Sequence, residues 1–411
     1  MKYNIKYLIL FLIILSFAGF KVSGEDDWGF FGHRRINRLA VFTLPEEMMP
    51  LFKSSLDFLT EHAVDPDKRR YAFRLEAPRH YLDMDAYKDK CLPHNFAEAF
   101  SAYSHLEFIN NKNDTIRINV TDTSWCNVSK SAVMTDGRSS WEVSKRDVRY
   151  IYNFFVLPSY YDDNYNIPID SLSRLYTQLK GKMRSVRLVD HFTEHGIVPY
   201  VIEQQYNKLV KAFIAKDKDR IINISADLGH YVADANVPLH ACSNYNGQKS
   251  DQYGIHAFWE SRIPELFADE QYDYFVGKAK YIKNINEFAW QTIRESGRLA
   301  DTVLLIEAEL RKIYPKDQQM CFDQRSGQAV WLQCRDFAAA YSDKMQGMVE
   351  NRMRNAILGV GSIWYTAWVE SGKPDLNFLK DQPVFWIQDS SVLKYDEFIK
   401  SGKKGQGRDH E

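Results

Sequence analysis

Apolar positions along this chain recur mostly at intervals of three and four. Residues 46–61 place Met48, Leu51, Phe52, Leu56 and Leu59 on one helical face. Residues 200–216 repeat the pattern with Ile202, Tyr206, Leu209, Val210 and Phe213. A further periodic stretch, 221–235, is closed by Pro238, which lacks the N–H that a continuing helix needs. Over residues 337–368, Tyr341, Met345, Met348, Met353 and Ile357 line one side, a stripe that reads as core rather than as a cofactor box. Gly359 and Gly361 inside it read as points of close helix packing. Residues 93–190 break the pattern: 115–121 alternates with period two, and the turn formers Asp136-Gly137 and Asp162-Asp163-Asn164 recur. The expected fold is all-α, a mainly helical body over residues 25–92 and 191–375, carrying a mixed, partly β insertion at 93–190. A C-terminal extension, 376–411, ends in a polar tail (401–411) expected to be disordered.

The N-terminus changes the compartment. Lys2 and Lys6 precede an apolar run at 7–17 and the small-residue site Val22-Ser23-Gly24. This is the pattern of a signal peptide over residues 1–24, cleaved near Gly24, with an apolar run too short for a comfortable membrane span. A secreted or periplasmic protein is expected, with an uncleaved N-terminal anchor as the minor alternative. Of 411 residues, 45% are hydrophobic and 26% charged, which is globular composition. Cleavage removes three of the 53 basic residues and none of the 54 acidic ones, leaving a net charge of −4. That balance weighs against bulk electrostatic capture of duplex nucleic acid or anionic membrane, while local peripheral membrane contact stays open. Five cysteines (Cys91, Cys126, Cys242, Cys321, Cys334) fit an oxidising compartment; Cys321 and Cys334 can close a local loop, and an odd count leaves one thiol over. No CxxC pair is present, which removes thiolate zinc and redox motifs. Of four sequons, at Asn113, Asn119, Asn127 and Asn223, three fall in the insertion and favour its surface exposure.

The chemistry concentrates in two short segments, His230-Tyr-Val-Ala-Asp234-Ala-Asn-Val-Pro238-Leu-His240 and His256-Ala-Phe-Trp-Glu260. His230 and Asp234 are four apart on a predicted helix, so they share a face and can grip one metal. Beyond the Pro238 break, His240 returns toward the same spot, and His256 with Glu260 repeats the i, i+4 device. One such pair is a weak signal whose ordinary meaning is a satisfied surface or core contact; two pairs and a Pro-flanked histidine within 31 residues are a strong one. Imidazoles with carboxylates and no cysteine suit zinc in catalytic sites. Two other places add ligands of the same kind: His33 in Trp28-Gly-Phe-Phe-Gly-His33, and Asp65 with His80 in Arg79-His80-Tyr81-Leu82-Asp83.

In these motifs, over residues 28–85 and 200–270, the chain resembles the superfamily of zinc-dependent phospholipase C and single-strand-specific nucleases, all-helical secreted enzymes with three clustered zinc ions. The resemblance implies that Asp65, His80, His230 and Asp234 hold the first zinc, and His240, His256 and Glu260 the second. Trp28 and His33 would join the bridging Asp234 around the third. It implies Tyr81 and Asp83 as substrate contacts and Asp65 as general base for an activated water. Lys68 or Arg69 could clamp the phosphate, or belong to a solvated charge run, Asp67-Lys68-Arg69-Arg70. The family's tryptophan is the mature N-terminus, whereas Glu25-Asp26-Asp27 precede Trp28 here. Either further trimming exposes it, or another group such as Asp26 or Asp27 takes its place. Glu260 and the compact His240-to-His256 gap lean toward phospholipase C. The spacing of 15 from Asp65 to His80, and His33 five residues after Trp28, lean toward the nucleases.

The expected activity is therefore zinc-dependent hydrolysis of a phosphoric diester in phospholipid. The alternative is a single-strand-specific nuclease or 3′-nucleotidase, and no stable protein partner is expected. Two other classes compete. His191-Phe-Thr-Glu194-His195 matches the HxxEH arrangement of inverted zinc metallopeptidases, but Gly196 and Pro199 should end any helix there. A zinc-binding protein without turnover would keep the same ligands. No G-x-S-x-G occurs, so serine hydrolysis has no support.

Overall fold

The periodic segments form the expected helices, with two interruptions. In a computed structural model, the structure describes residues 30–387 except 71–72, 88–89, 121–124, 126–129, 162–166, 168, 173–182 and 326–327. The expected signal peptide, Trp28, Asn127, the expected turn at Asp162-Asp163-Asn164 and residues 401–411 lie outside the described residues. The helices that shape the interior are α1 (Phe30–Val41), α2 (Asp65–Arg70), α3 (Val198–Ala215), α4 (Lys218–Asn236), α5 (Ile285–Ile313) and α6 (Met348–Glu370). Between α1 and α2, the predicted helix at 46–61 is two short ones, Met49–Ser54 and Leu56–Glu61, hinged at the buried Ser55. The predicted 337–368 helix also divides, into Arg335–Lys344 and α6, because Gly347 adopts a φ of 78° at the joint. Tyr341, Met345, Met353 and Ile357 are buried, so that stripe is core.

Helix α4 is the axis of the molecule, packed by α1, α3, α5 and α6. Its start is capped by Asp217, whose carboxylate accepts from the Arg220 N–H at 3.1 Å. Its end is set by Pro238, which opens a 3₁₀ turn (Pro238–Ala241). Two glycines bring neighbouring helices close. A Cβ on Gly361 of α6 would stand 1.9 Å from Thr43 Oγ1, which bears out the close-packing reading of that segment. A Cβ on Gly229 of α4 would stand 2.0 Å from Asn37 Oδ1 of α1. Asn37 uses that space to donate to the carbonyls of Leu59 and Ala226 at 3.2 and 3.1 Å, fastening α1 to α4.

The protein is predominantly helical, with an antiparallel sheet of order β4-β3-β2-β1-β5. Its strands are β1 (His105–Asn110), β2 (Thr115–Val120), β3 (Ser131–Thr135), β4 (Ser140–Ser144) and β5 (Met183–Val189). β2 matches the period-two stretch. Leu106, Phe108, Ile118, Val120, Ala132, Met134, Val186 and Leu188 turn to one buried face that merges with the helical core. Glu107 pairs in register with Arg117 and Arg187 on the other. A second sheet was not expected: β6 (Met320–Arg325) and β7 (Gln328–Gln333) form a hairpin inside the region read as helical, clamped by a disulfide between Cys321 and Cys334. At the other end of the chain, residues 385–387 lie along α4: Phe385 N–H donates to Asp219 and Asn223 donates to the Phe385 carbonyl. The Asn223 side-chain amide is thus engaged by backbone carbonyls, whereas Asn113 and Asn119 of the other sequons are exposed. No helix among the described residues is long and apolar enough to cross a membrane.

These contacts give two helical glycines opposite signs. Gly229→Ala should cost about 1–3 kcal/mol of unfolding free energy by urea titration, because Asn37 must give way. Gly297→Ala, whose Cβ would meet nothing nearer than 3.4 Å, should be neutral or stabilising by up to about 1 kcal/mol. Equal effects at both sites would contradict this account of how α1 meets α4.

Candidate metal centre

Five segments converge at the C-terminal half of α4. Its one-turn spacing sets His230 Nε2 3.2 Å from Asp234 Oδ2, as the i, i+4 reading expects. The 3₁₀ turn after Pro238 brings His240 Nε2 to 3.9 Å from Asp234 Oδ1. His80, at the end of a short 3₁₀ helix (Ala77–His80), places Nδ1 2.9 Å from Asp234 Oδ2 and 3.0 Å from His230 Nε2. From α1, His33 Nε2 reaches Asp234 Oδ1 and Glu260 Oε1, each at 3.4 Å, and its ring stacks on His230. A single helical turn (Ile255–Ala257) and the π-helical turn that follows it (Phe258–Arg262) hold His256 Nε2 2.8 Å from Glu260 Oε2, with His240 Nε2 at 3.6 Å from the same oxygen.

The ring nitrogens are aimed as well as gathered. His230 Nδ1 donates to the Ala63 carbonyl at 2.8 Å, His240 Nδ1 to the His80 carbonyl at 2.7 Å and His256 Nδ1 to the Tyr245 carbonyl at 3.3 Å. A carbonyl only accepts, so each Nδ1 carries a proton and each Nε2 faces the cluster. His80 is turned the other way, with Nδ1 inward and Nε2 3.9 Å from the buried carboxylate of Glu76. Glu76 is held by Arg79 at 3.1 Å, Arg69 at 3.7 Å and the Tyr231 hydroxyl. Burial alone would raise its pKa, but the two guanidiniums outweigh burial and bring it to about 2. Glu76 lies four residues before His80, the same interval that marks the other pairs, and the sequence reading passed over it.

The ligand atoms form four overlapping groups, each lying within 4.8 Å: His33, Asp67 and His230; His80, His230 and Asp234; His240, His256 and Glu260; His33, Asp234 and Glu260. Each could hold a metal ion. Seven of the expected ligands meet here, but Asp65 does not. Its Oδ2 lies 2.6 Å from His62 Nδ1, and Lys68 approaches Oδ1 at 3.3 Å. Asp67 stands in the expected place, its carboxylate 3.6 Å from His80, 3.7 Å from His230 and 4.0 Å from His33. Residues two apart on a helix point about 200° apart, so α2 can present only one of the two aspartates to the cluster.

The other expected contacts divide in the same way. Arg69 is buried against Asp227 at 2.7 Å and Lys68 sits over Phe30, so neither lines the cavity above the cluster; Arg70 does. That cavity has a volume of about 390 Å³ and is lined by Asp67, Asp234, His240, His256 and Glu260 together with Tyr245, Tyr253, Met320, Trp331 and Leu332. Tyr81 borders an adjoining cleft with His80 and His240, its hydroxyl donating to the Glu194 carbonyl at 3.1 Å. Asp83 faces His195 at 3.7 Å instead. The HxxEH residues do not converge on a shared centre: Thr193–His195 is a 3₁₀ turn, His191 stacks on His105, and Glu194 is exposed.

No family model matches this chain, and no curated protein or solved structure matches it either.

Charge balance makes the cluster pH-sensitive in a way that metal should reverse. Without metal, burial favours neutral imidazole, but the carboxylates of Asp234 and Asp67 outweigh it at His230, and Asp234 with Glu260 does so at His240. Both rise from 6.5 to about 9. A raised histidine contributes stability that is fully present below pH 6.5 and lost as pH climbs through 9. The carboxyls of Asp234 and Glu260, held well below their usual range because the histidines overcome burial, add stability that disappears in acid. Chelator-treated protein should therefore melt at progressively lower temperature from pH 6.5 to 9, while added zinc raises the melting temperature most at the alkaline end, where protons no longer compete. A melting temperature that climbs across that window without metal would contradict the assignment.

Proposed function

We propose that this protein is a secreted zinc-dependent hydrolase of phosphate esters, of the phospholipase C type, built on three zinc ions, two of which share Asp234. The observation that carries this reading is the cluster of eight imidazole and carboxylate side chains, five of which (Asp67, Asp234, His240, His256 and Glu260) line one cavity. Zinc held tetrahedrally at about 2.0–2.2 Å from its ligands keeps their atoms roughly 3.3–3.6 Å apart. The nitrogen-to-oxygen separations in the cluster run from 2.8 to 4.0 Å, so the donor set fits in both chemistry and size.

His80, His230, Asp234 and Asp67 would hold one ion, His240, His256 and Glu260 a second, and His33 with Asp234 and Glu260 a third. When bound, these ions supply positive charge for an anionic phosphodiester and acidify a water. The chain's own residues do the rest. Arg70 reaches the cavity beside Asp67 and offers a planar donor fork to a phosphoryl oxygen. Asp67, bordering both cluster and cavity, takes the place of Asp65 as proton acceptor. The carbonyls of Ala63, His80 and Tyr245 keep the imidazoles in one tautomer through the cycle.

A second reading is the single-strand-specific nuclease, favoured by Tyr245, Tyr253 and Trp331, aromatic faces on which a base could stack. The two part on substrate. The purified protein should release diacylglycerol from phosphatidylcholine vesicles in a chelator-sensitive reaction and leave single-stranded DNA intact. Acid-soluble nucleotides from DNA would move the assignment to the nuclease. Cleavage of neither substrate by zinc-loaded protein would overturn the hydrolase reading. Within the site, Asp67→Asn should lower turnover by at least about 100-fold and Asp65→Asn by less than about tenfold; the reverse order would return the base to Asp65.

A further inference from the structure

The β6–β7 hairpin is anchored more firmly than a surface ornament requires. The Cys321–Cys334 disulfide closes its base. Arg262, buried beneath it, donates to the Asp323 carboxylate and to the Gln333 carbonyl, at 3.2 Å for the latter. Arg262 belongs to the same π-helical turn as Glu260, so the hairpin and the ligand turn are one mechanical unit. Met320, Trp331 and Leu332 of the hairpin form the apolar wall of the cavity. Beside that wall, Phe322 stands opposite Trp331 in the register, with ring centroids 4.7 Å apart.

The two rings face water. Phe322 is 76% exposed and Trp331 54%, and Tyr253, which also lines the cavity, is 65% exposed. A large aromatic pair on a fixed ribbon at a cavity mouth has the composition of an interfacial anchor, with apolar bodies and a ring N–H suited to the headgroup layer. A polyanion would instead need a basic track. Among the described residues lining the cavity, Arg70 is the one arginine or lysine.

We propose that the β6–β7 hairpin is a membrane-docking element, seating Phe322 and Trp331 in the headgroup layer of a phospholipid bilayer so that the cavity opens directly onto its substrate. This rests on the phosphoester reading of the site. It also gives the apolar wall a purpose, since the glycerol and proximal acyl carbons of a lipid drawn toward the cluster would lie along Met320, Trp331 and Leu332.

The test separates docking from chemistry. The purified protein is sedimented with vesicles of a phosphonate analogue of phosphatidylcholine, whose carbon–phosphorus bond resists hydrolysis. Wild type should co-sediment, Phe322→Ser should partition at least about tenfold more weakly, and Phe322→Trp should restore binding. On monomeric dihexanoylphosphatidylcholine, Phe322→Ser should stay within about twofold of wild type, which also shows that the variant is folded. Full-strength sedimentation of Phe322→Ser, or none by wild type, would overturn the proposal, as would a variant that loses single-stranded DNA binding instead. Hairpin-dependent sedimentation without hydrolysis of dihexanoylphosphatidylcholine or of ordinary phosphatidylcholine vesicles would keep the docking element and refute the phospholipase reading.

Discussion

Asp234 is 1% exposed, and imidazole nitrogens of His80, His230, His33 and His240 stand 2.9, 3.2, 3.4 and 3.9 Å from its oxygens. A carboxylate taken so far from water costs several kcal/mol unless positive charge and hydrogen bonds surround it. The rest of the interior can be read as the means of meeting that condition. Helix α4 supplies His230 one turn away, Pro238 stops the helix in time for His240 to fold back, and the Asn37–Gly229 contact pulls α1 close enough for His33 to arrive. Three backbone carbonyls then fix which nitrogen of His230, His240 and His256 faces inward. Removal of Asp234 would leave four imidazoles without their common carboxylate, with Glu260 and Asp67, at 3.4–4.0 Å, left to face them.

The sequence made some of this legible because helices convert spacing into direction. His230–Asp234 and His256–Glu260 are four apart, and each pair meets. The break at Pro238 and the alternation at 115–121 were readable for equally local reasons. The failures also have physical causes. Asp65 and Asp67 are equivalent in composition, and only the seating of α2 decides which turns inward. Among Lys68, Arg69 and Arg70, one register step separates a salt bridge with Asp227 from the cavity wall. The hinges at Ser55 and Gly347 interrupt periodicity without erasing it, so a count of apolar positions joins what the backbone divides. Trp28 falls outside the described residues.

The hairpin shows why a helical reading of residues 191–375 was incomplete. Its strands are six residues each and carry little alternation, so their pairing depends on the Cys321–Cys334 closure and on Arg262 beneath. What it adds is apolar lining: Met320, Trp331 and Leu332 share the cavity with the charged ligands, as the proposed substrate, anionic at one point and apolar beyond it, requires.

Anomalous X-ray scattering at the zinc edge, from crystals of the protein as isolated and of Asp234→Asn, bears most directly on the shared carboxylate. The account predicts three peaks in the cluster, each about 2.0–2.3 Å from its ligand atoms, with fewer in the variant. An absence of peaks among His33, His80, His230, His240 and His256, or an unchanged set without the Asp234 carboxylate, would contradict it.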